Sequence, residues 1–88
     1  MKIKKDFVLQ DVGGASVVVA VGKESENFKG IITLNESAKV LWNALVDGAT
    51  LDELATKLTE VYDVTMEQAK ESCVKFVSKL SEANILEE

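Results

Sequence analysis

The sequence contains no histidine, no arginine and no proline, and its single cysteine is Cys73. Without histidine the chain lacks the commonest general acid and base, and without arginine it lacks the planar clamp that binds anions. One cysteine cannot form a disulfide within the chain, and no histidine is present to complete a zinc site or a Cys–His nucleophile pair. These absences predict that the protein is not an enzyme and has no catalytic residues, no metal and no cofactor.

Positive charge is also scarce. Ten lysines stand against fifteen acidic residues, which gives a formal net charge of −5. The mean field of such a chain repels phosphates, and the side chain that most often reads guanine is missing. We therefore expect no nucleic acid among its partners.

Long apolar runs are missing as well. No stretch approaches the roughly 20 apolar residues of a membrane span. The charged start, residues 1–6, is not followed by the apolar run of a signal peptide. These features predict a cytoplasmic protein that does not enter a membrane.

What the sequence does contain is enough apolar material for one modest core. It has 88 residues, of which 47% are hydrophobic and 28% charged. A chain of this length buries a smaller fraction of its surface than a larger protein does, and it has no room for a second core. We expect a single domain over residues 1–88.

The first third of the chain has the pattern of a β-meander. Short apolar runs at residues 7–12 and 15–21 flank Gly13-Gly14, and a polar loop separates them from a third run at residues 28–34. Gly30, in the middle of the third run, has no side chain to pack and is typical of a bulge or of a close approach by another backbone. We expect a three-stranded antiparallel sheet over about residues 3–34.

After Leu34 the apolar period changes from two residues to about 3.6, which predicts three helices over about residues 36–84. Asn35 is a good N-cap and Gly48 a good C′ residue for the first helix. Capping boxes at residues 50–53 and 65–68 begin the second and third helices, and Asn84 follows the third. Cys73 falls in the centre of the third apolar stripe, which predicts a buried, unreactive thiol. The order of elements predicts an α+β fold of the winged helix-turn-helix type.

One candidate binding surface is the edge of the third strand. An unpaired strand edge can accept an extended peptide as an additional strand. The alternative is that this strand is internal or covered by a loop. The candidate residues are Phe28, Lys29, Gly30, Ile31, Ile32 and Thr33.

A second candidate surface is one flank of the third helix. Beside the apolar stripe, the arc is widened on one side by Val77, Lys70, Ser81 and Val74. Val74 and Val77 would form the floor of a groove beside the sheet, and Lys70 would meet an acidic residue of a ligand. The alternative is that Val74 packs as ordinary core.

Two other functions fit the same order of elements. A DNA-binding winged helix would present the start of the third helix to the major groove, but that turn carries Glu67 and Glu71. A structural subunit would pair its open sheet edge with a second copy and form a homodimer.

The helical part of the sequence resembles the PqqD family. The resemblance lies in the segment LNESAKVLWNAL at residues 34–45, followed by DG at 47–48, TLDELA at 50–55, YDV at 62–64 and LSEANIL at 80–86. Members of that family share an L-N-x-[ST]-A start, an aromatic residue near the middle of the first helix and a D-G stop. The match covers about the last two-thirds of the chain.

This resemblance implies a RiPP recognition element, a module that binds the leader segment of a ribosomally made precursor peptide. It also implies a modifying enzyme as a second partner, often a radical S-adenosylmethionine protein. The length of the chain predicts that this enzyme is a separate polypeptide, and the alternative is that the domain is part of a larger enzyme. In that family the leader adds to the third strand and lies between this strand and the third helix. On this chain the implied surfaces are the two candidate surfaces above.

Overall fold

The computed structural model describes residues 1–22 and 32–87. In these residues a three-stranded antiparallel sheet is followed by three helices, and a second, two-stranded sheet joins the two ends of the chain. The elements are β1 Lys2–Ile3, β2 Phe7–Val12, β3 Ala15–Ala20, β4 Ile32–Leu34, α1 Glu36–Val46, α2 Leu51–Val61, α3 Met66–Glu82 and β5 Leu86–Glu87. The predicted α+β class and the predicted order, a three-stranded antiparallel sheet followed by three helices, are confirmed.

A two-residue turn sets the register of the main sheet. Gly13 and Gly14 both have positive φ angles, 58° and 86°, as a type I′ hairpin turn requires. The turn pairs Val12 with Ala15, and the register then places Val18 between Leu9 and Ile32. Because side chains alternate along a strand, this register turns one face of the sheet toward the helices.

The third strand is described only over its last three residues. We predicted a strand at residues 28–34, and β4 comprises Ile32–Leu34, paired antiparallel with β3. The predicted residues Phe28, Lys29, Gly30 and Ile31 lie outside the described residues. Their place in the strand stays a prediction.

Side-chain caps begin all three helices at the predicted residues. The Asn35 Oδ1 atom accepts a hydrogen bond from the Ala38 N–H at 2.9 Å. Thr50 with Glu53 and Thr65 with Gln68 form complete capping boxes. Each cap satisfies backbone donors that have no partner within the helix, and such caps contribute about 1 kcal/mol each.

The end of α3 brings the two ends of the chain together. Asn84 has a φ of 60°. The Ile85 N–H then donates to the Leu80 carbonyl at 3.0 Å, and the Asn84 N–H donates to the Ser81 carbonyl at 3.0 Å. These two bonds form a Schellman motif, with Ile85 and Leu80 both fully buried. The reversal directs β5 to β1, where Lys2 pairs with Glu87.

One core lies between the main sheet and the helices. Its largest fully buried side chains come from β3, from each of the three helices and from the segment after α3. They are Val18, Trp42, Leu45, Leu54, Cys73, Leu80 and Ile85. In the described part of the chain no helix is long and apolar enough to cross a membrane.

Replacement of Asn84 tests the reversal after α3. We expect Asn84→Ala to lower the free energy of unfolding by about 1 kcal/mol, because a left-handed backbone is costly for residues other than glycine and asparagine. Asn84→Gly should preserve or raise it. Urea denaturation measures both changes, with Asn43→Ala in the middle of α1 as the control. Equal stability of the alanine and glycine variants at this position would contradict the expectation.

Candidate functional site

The outer edge of β4 is open in the described part of the chain. Its inner edge pairs with β3 through Ser16 with Leu34, Val17 with Thr33 and Val18 with Ile32. No other strand within residues 1–22 and 32–87 pairs with β4. An open strand edge presents backbone donors and acceptors that an incoming strand can satisfy.

This edge borders a cleft of about 780 Å³ between β4 and the three helices. Leu34, Leu41 and Leu58 are buried beneath it, and Tyr62 and Phe76 are half-buried in its wall. The residues that line it are Thr33, Leu34, Asn35, Ser37, Ala38, Leu41, Leu58, Tyr62, Val64, Gln68, Ala69, Ser72, Lys75, Phe76 and Lys79. The cleft therefore offers apolar contacts beside a strand edge, the two elements of β-strand addition.

The charge of this cleft is opposite in sign to that of the whole chain. Its described lining contains Lys75 and Lys79 and no carboxylate. Lys75 forms an ion pair with Glu71 at 3.7 Å, but both side chains are highly exposed, and such a pair is weak in water. Lys79 has no ion-pair partner among the described residues. Both ammonium groups can therefore turn to an acidic ligand residue.

The predicted site residues that the structure describes fall in two groups. Thr33 lines the cleft, and Ile32 lies next to it in β4. Lys70, Val74, Val77 and Ser81 do not appear in the described lining of this cleft. Lys70 instead forms an ion pair with Asp52 of α2 at 3.3 Å. Val74 is 48% exposed, so it does not take the core position that we considered as the alternative.

The helical phase of α3 explains this division. At about 100° per residue, Ser72, Lys75 and Lys79 lie on one side of the buried stripe, and the four predicted residues lie on the other. We call the first group the cleft flank and the second the Val74 flank. The prediction followed the wider apolar arc, whereas the apolar contribution of α3 to the cleft comes from Ala69 and Phe76 of the core stripe. The sequence feature that indicates the cleft flank is the pair Lys75 and Lys79, four residues apart on either side of Phe76. The part that either flank plays in binding stays a prediction.

The single thiol of the chain, that of Cys73, is buried. Cys73 has no solvent-exposed surface, and burial raises the pKa of its thiol because the charged form is desolvated. This environment confirms the predicted buried thiol. Within residues 1–22 and 32–87, no three acidic or cysteine side chains come close enough together to hold a metal ion.

Comparison with known proteins identifies the family. The family model described as "Coenzyme PQQ synthesis protein D (PqqD)" matches residues 7–86. The chain belongs to the PqqD family. This confirms the resemblance found in the sequence, and the match extends across the strands as well as the helices.

Solved structures share the fold of this PqqD-family chain. "TbiB1 in Complex with the TbiA(beta) Leader Peptide" has a TM-score of 0.78 at 18% identity, covering 99% of this chain and 95% of that chain. "Lasso peptide synthetase B1 complexed with the leader peptide" has a TM-score of 0.74 at 20% identity, covering 96% and 93%. No curated protein is significantly similar to the chain in sequence.

The exposure of Val74 leads to a test of the fold. We expect Val74→Asp to change the melting temperature little, because the new carboxylate meets solvent and lies one turn from Lys70. Leu80→Asp on the same helix should unfold the domain, because it buries an unpaired charge. Thermal denaturation followed by circular dichroism measures both. Unfolding of the Val74 variant would contradict the placement of this flank on the surface.

Proposed function

We propose that this protein binds the leader segment of a ribosomally synthesised precursor peptide and presents it to a separate modifying enzyme, a radical S-adenosylmethionine protein. The observation that carries the proposal is the open edge of β4 beside an apolar, lysine-bearing cleft. Membership of the PqqD family supports it. So do the names of the two solved structures, which describe complexes with leader peptides.

In the proposed complex the leader lies antiparallel or parallel to β4 and uses the cleft for its side chains. Backbone hydrogen bonds to β4 give affinity that depends little on leader sequence. Selectivity comes from the cleft, where Tyr62 and Phe76 contact apolar leader residues and Lys75 and Lys79 attract acidic ones. The predicted continuation of the strand through residues 28–31 would lengthen the same edge.

The role we propose is that of an accessory protein and not of a catalyst. The chain has no histidine or arginine, and its thiol is buried and neutral. The modifying enzyme therefore supplies the chemistry. We also propose the cytoplasmic location that the sequence predicts.

Titration with the leader peptide encoded beside this chain tests the proposal. We expect heat of binding in calorimetry, and changed amide NMR signals at Ile32, Thr33 and Leu34 as the leader pairs with β4. Signals of Ser72 and Phe76 should change with them. Absence of binding, or binding that leaves the β4 signals unchanged, would refute strand addition at this edge.

Charge reversal on α3 distinguishes its two flanks. We expect the Lys75→Glu/Lys79→Glu variant to weaken leader binding on the order of tenfold, because two attractive interactions become repulsive. Lys70→Glu reverses a charge on the Val74 flank of the same helix and should change affinity less than twofold. The measurement is the dissociation constant at low and high salt. A larger loss of leader affinity in Lys70→Glu than in the double variant, together with a loss of affinity in Val74→Asp, would show that the leader binds the Val74 flank.

A further inference from the structure

A second cleft lies on another part of the surface. It encloses about 840 Å³ between the start of the chain and the second half of α1. Its described lining is Lys2, Ile3, Lys4, Lys5, Asp6, Phe7, Val8, Leu9, Trp42, Asn43, Val46 and Glu87. None of these residues lines the cleft beside β4. We call it the lysine-rimmed cleft.

Its floor is apolar and partly exposed. Phe7 and Trp42 are buried at its base, whereas Val8 and Val46 are 41% and 46% exposed. Exposed valines beside a buried tryptophan offer a contact surface that a partner can cover with a gain in free energy.

The rim carries an unusual density of positive charge. Lys2, Lys4 and Lys5 are three of the ten lysines of the chain, and they fall within four consecutive residues. No ion pair joins any of them to a carboxylate of the described residues, although Asp6 and Glu87 also line the cleft. With three lysines against two carboxylates, the lining has a charge of +1 in a chain of net −5. The cleft is therefore complementary to an acidic partner.

We infer that the lysine-rimmed cleft is the docking site for the modifying enzyme, through a segment that carries acidic residues around at least one apolar side chain. This inference rests on the proposed function, which requires the protein to hold a leader and an enzyme at the same time. The rim attracts the carboxylates, and Val8 and Val46 cover the apolar side chain.

Both clefts use residues of α1, and they share no lining residue, so both can be occupied at the same time. Ser37, Ala38 and Leu41 of α1 line the cleft beside β4. Trp42, Asn43 and Val46, further along the same helix, line the lysine-rimmed cleft. A single rigid helix therefore sets the distance from the bound leader to the docked enzyme.

Trp42 gives a direct measurement of binding at this cleft. It is the only tryptophan of the chain, so its indole N–H gives one NMR signal. The probe is a synthetic peptide in which glutamates alternate with leucines, and its control has glutamine in place of each glutamate. We expect the acidic peptide to shift the Trp42 indole signal and the Lys4 and Lys5 amides, more weakly at high salt. Equal binding of the control peptide, or shifts confined to Thr33 and Ser72, would overturn the inference.

Two matched variants connect the cleft to the enzyme. Val46 and Val61 are the last residues of α1 and α2, and both are exposed, at 46% and 56%. We expect Val46→Asp to weaken binding of the acidic peptide, and of the purified modifying enzyme, by about fivefold or more, because it adds a repelling carboxylate to the cleft. Val61→Asp puts the same charge at the same position of a helix outside both clefts and should change neither affinity.

Leader titration of both variants separates this inference from the proposed function. Unchanged leader affinity together with lost enzyme binding in Val46→Asp supports two distinct sites. Unchanged enzyme binding in Val46→Asp overturns the docking site while leaving leader binding intact. The remaining alternative is that a second copy of the chain occupies the cleft, and sedimentation of the free protein tests it. A dimer that dissociates in the Val46→Asp variant would support that alternative and overturn the inference.

Discussion

Burial of Leu41, Trp42 and Leu45 on one face of α1 holds the structure in the arrangement on which both clefts depend. Each of these side chains is at most 3% exposed. The helix α1 contacts α2, β1 and β4, so it is packed against both the helical half and the strands. Burial of side chains of this size contributes about 1.5–3 kcal/mol each. Since Leu41 also lines one cleft and Trp42 the other, replacing either would confuse loss of binding with loss of fold.

Local interactions explain why most of the fold is predictable from the sequence. Asn35, Thr50 and Thr65 cap their helices through atoms no more than three residues away. Likewise, two residues, Gly13 and Gly14, specify the turn that joins β2 to β3. By contrast, the pairing of β1 with β5 joins residues at opposite ends of the chain. Two-residue strands carry no detectable alternation, so only tertiary contacts reveal this pairing.

The limit of prediction at the candidate site has the same origin. Periodicity identifies the buried stripe of α3 but does not say which flank of that stripe faces β4. The answer depends on the rotation of α3 about its axis relative to β4, which packing of α3 against α2 fixes. Hydrophobicity favoured the side of Val74 and Val77, whereas the cleft borders Ser72, Lys75 and Lys79. Phe76 belongs both to the core stripe and to the cleft wall, so apolar periodicity alone does not distinguish the two flanks.

The distribution of charge in this acidic protein would direct an acidic partner of the kind we propose to its clefts. Among the described carboxylates, only Asp6 and Glu87 line either cleft, whereas five lysines line the two clefts together. Within the described residues, the two clefts are therefore places where an acidic segment would meet more lysines than carboxylates. Such a charge preference adds specificity that the apolar floors alone lack, since an apolar floor accepts many side chains. The start of α3 presents Glu67 and Glu71, which disfavours DNA binding by this helix, and two of its three lysines, Lys75 and Lys79, line the cleft beside β4.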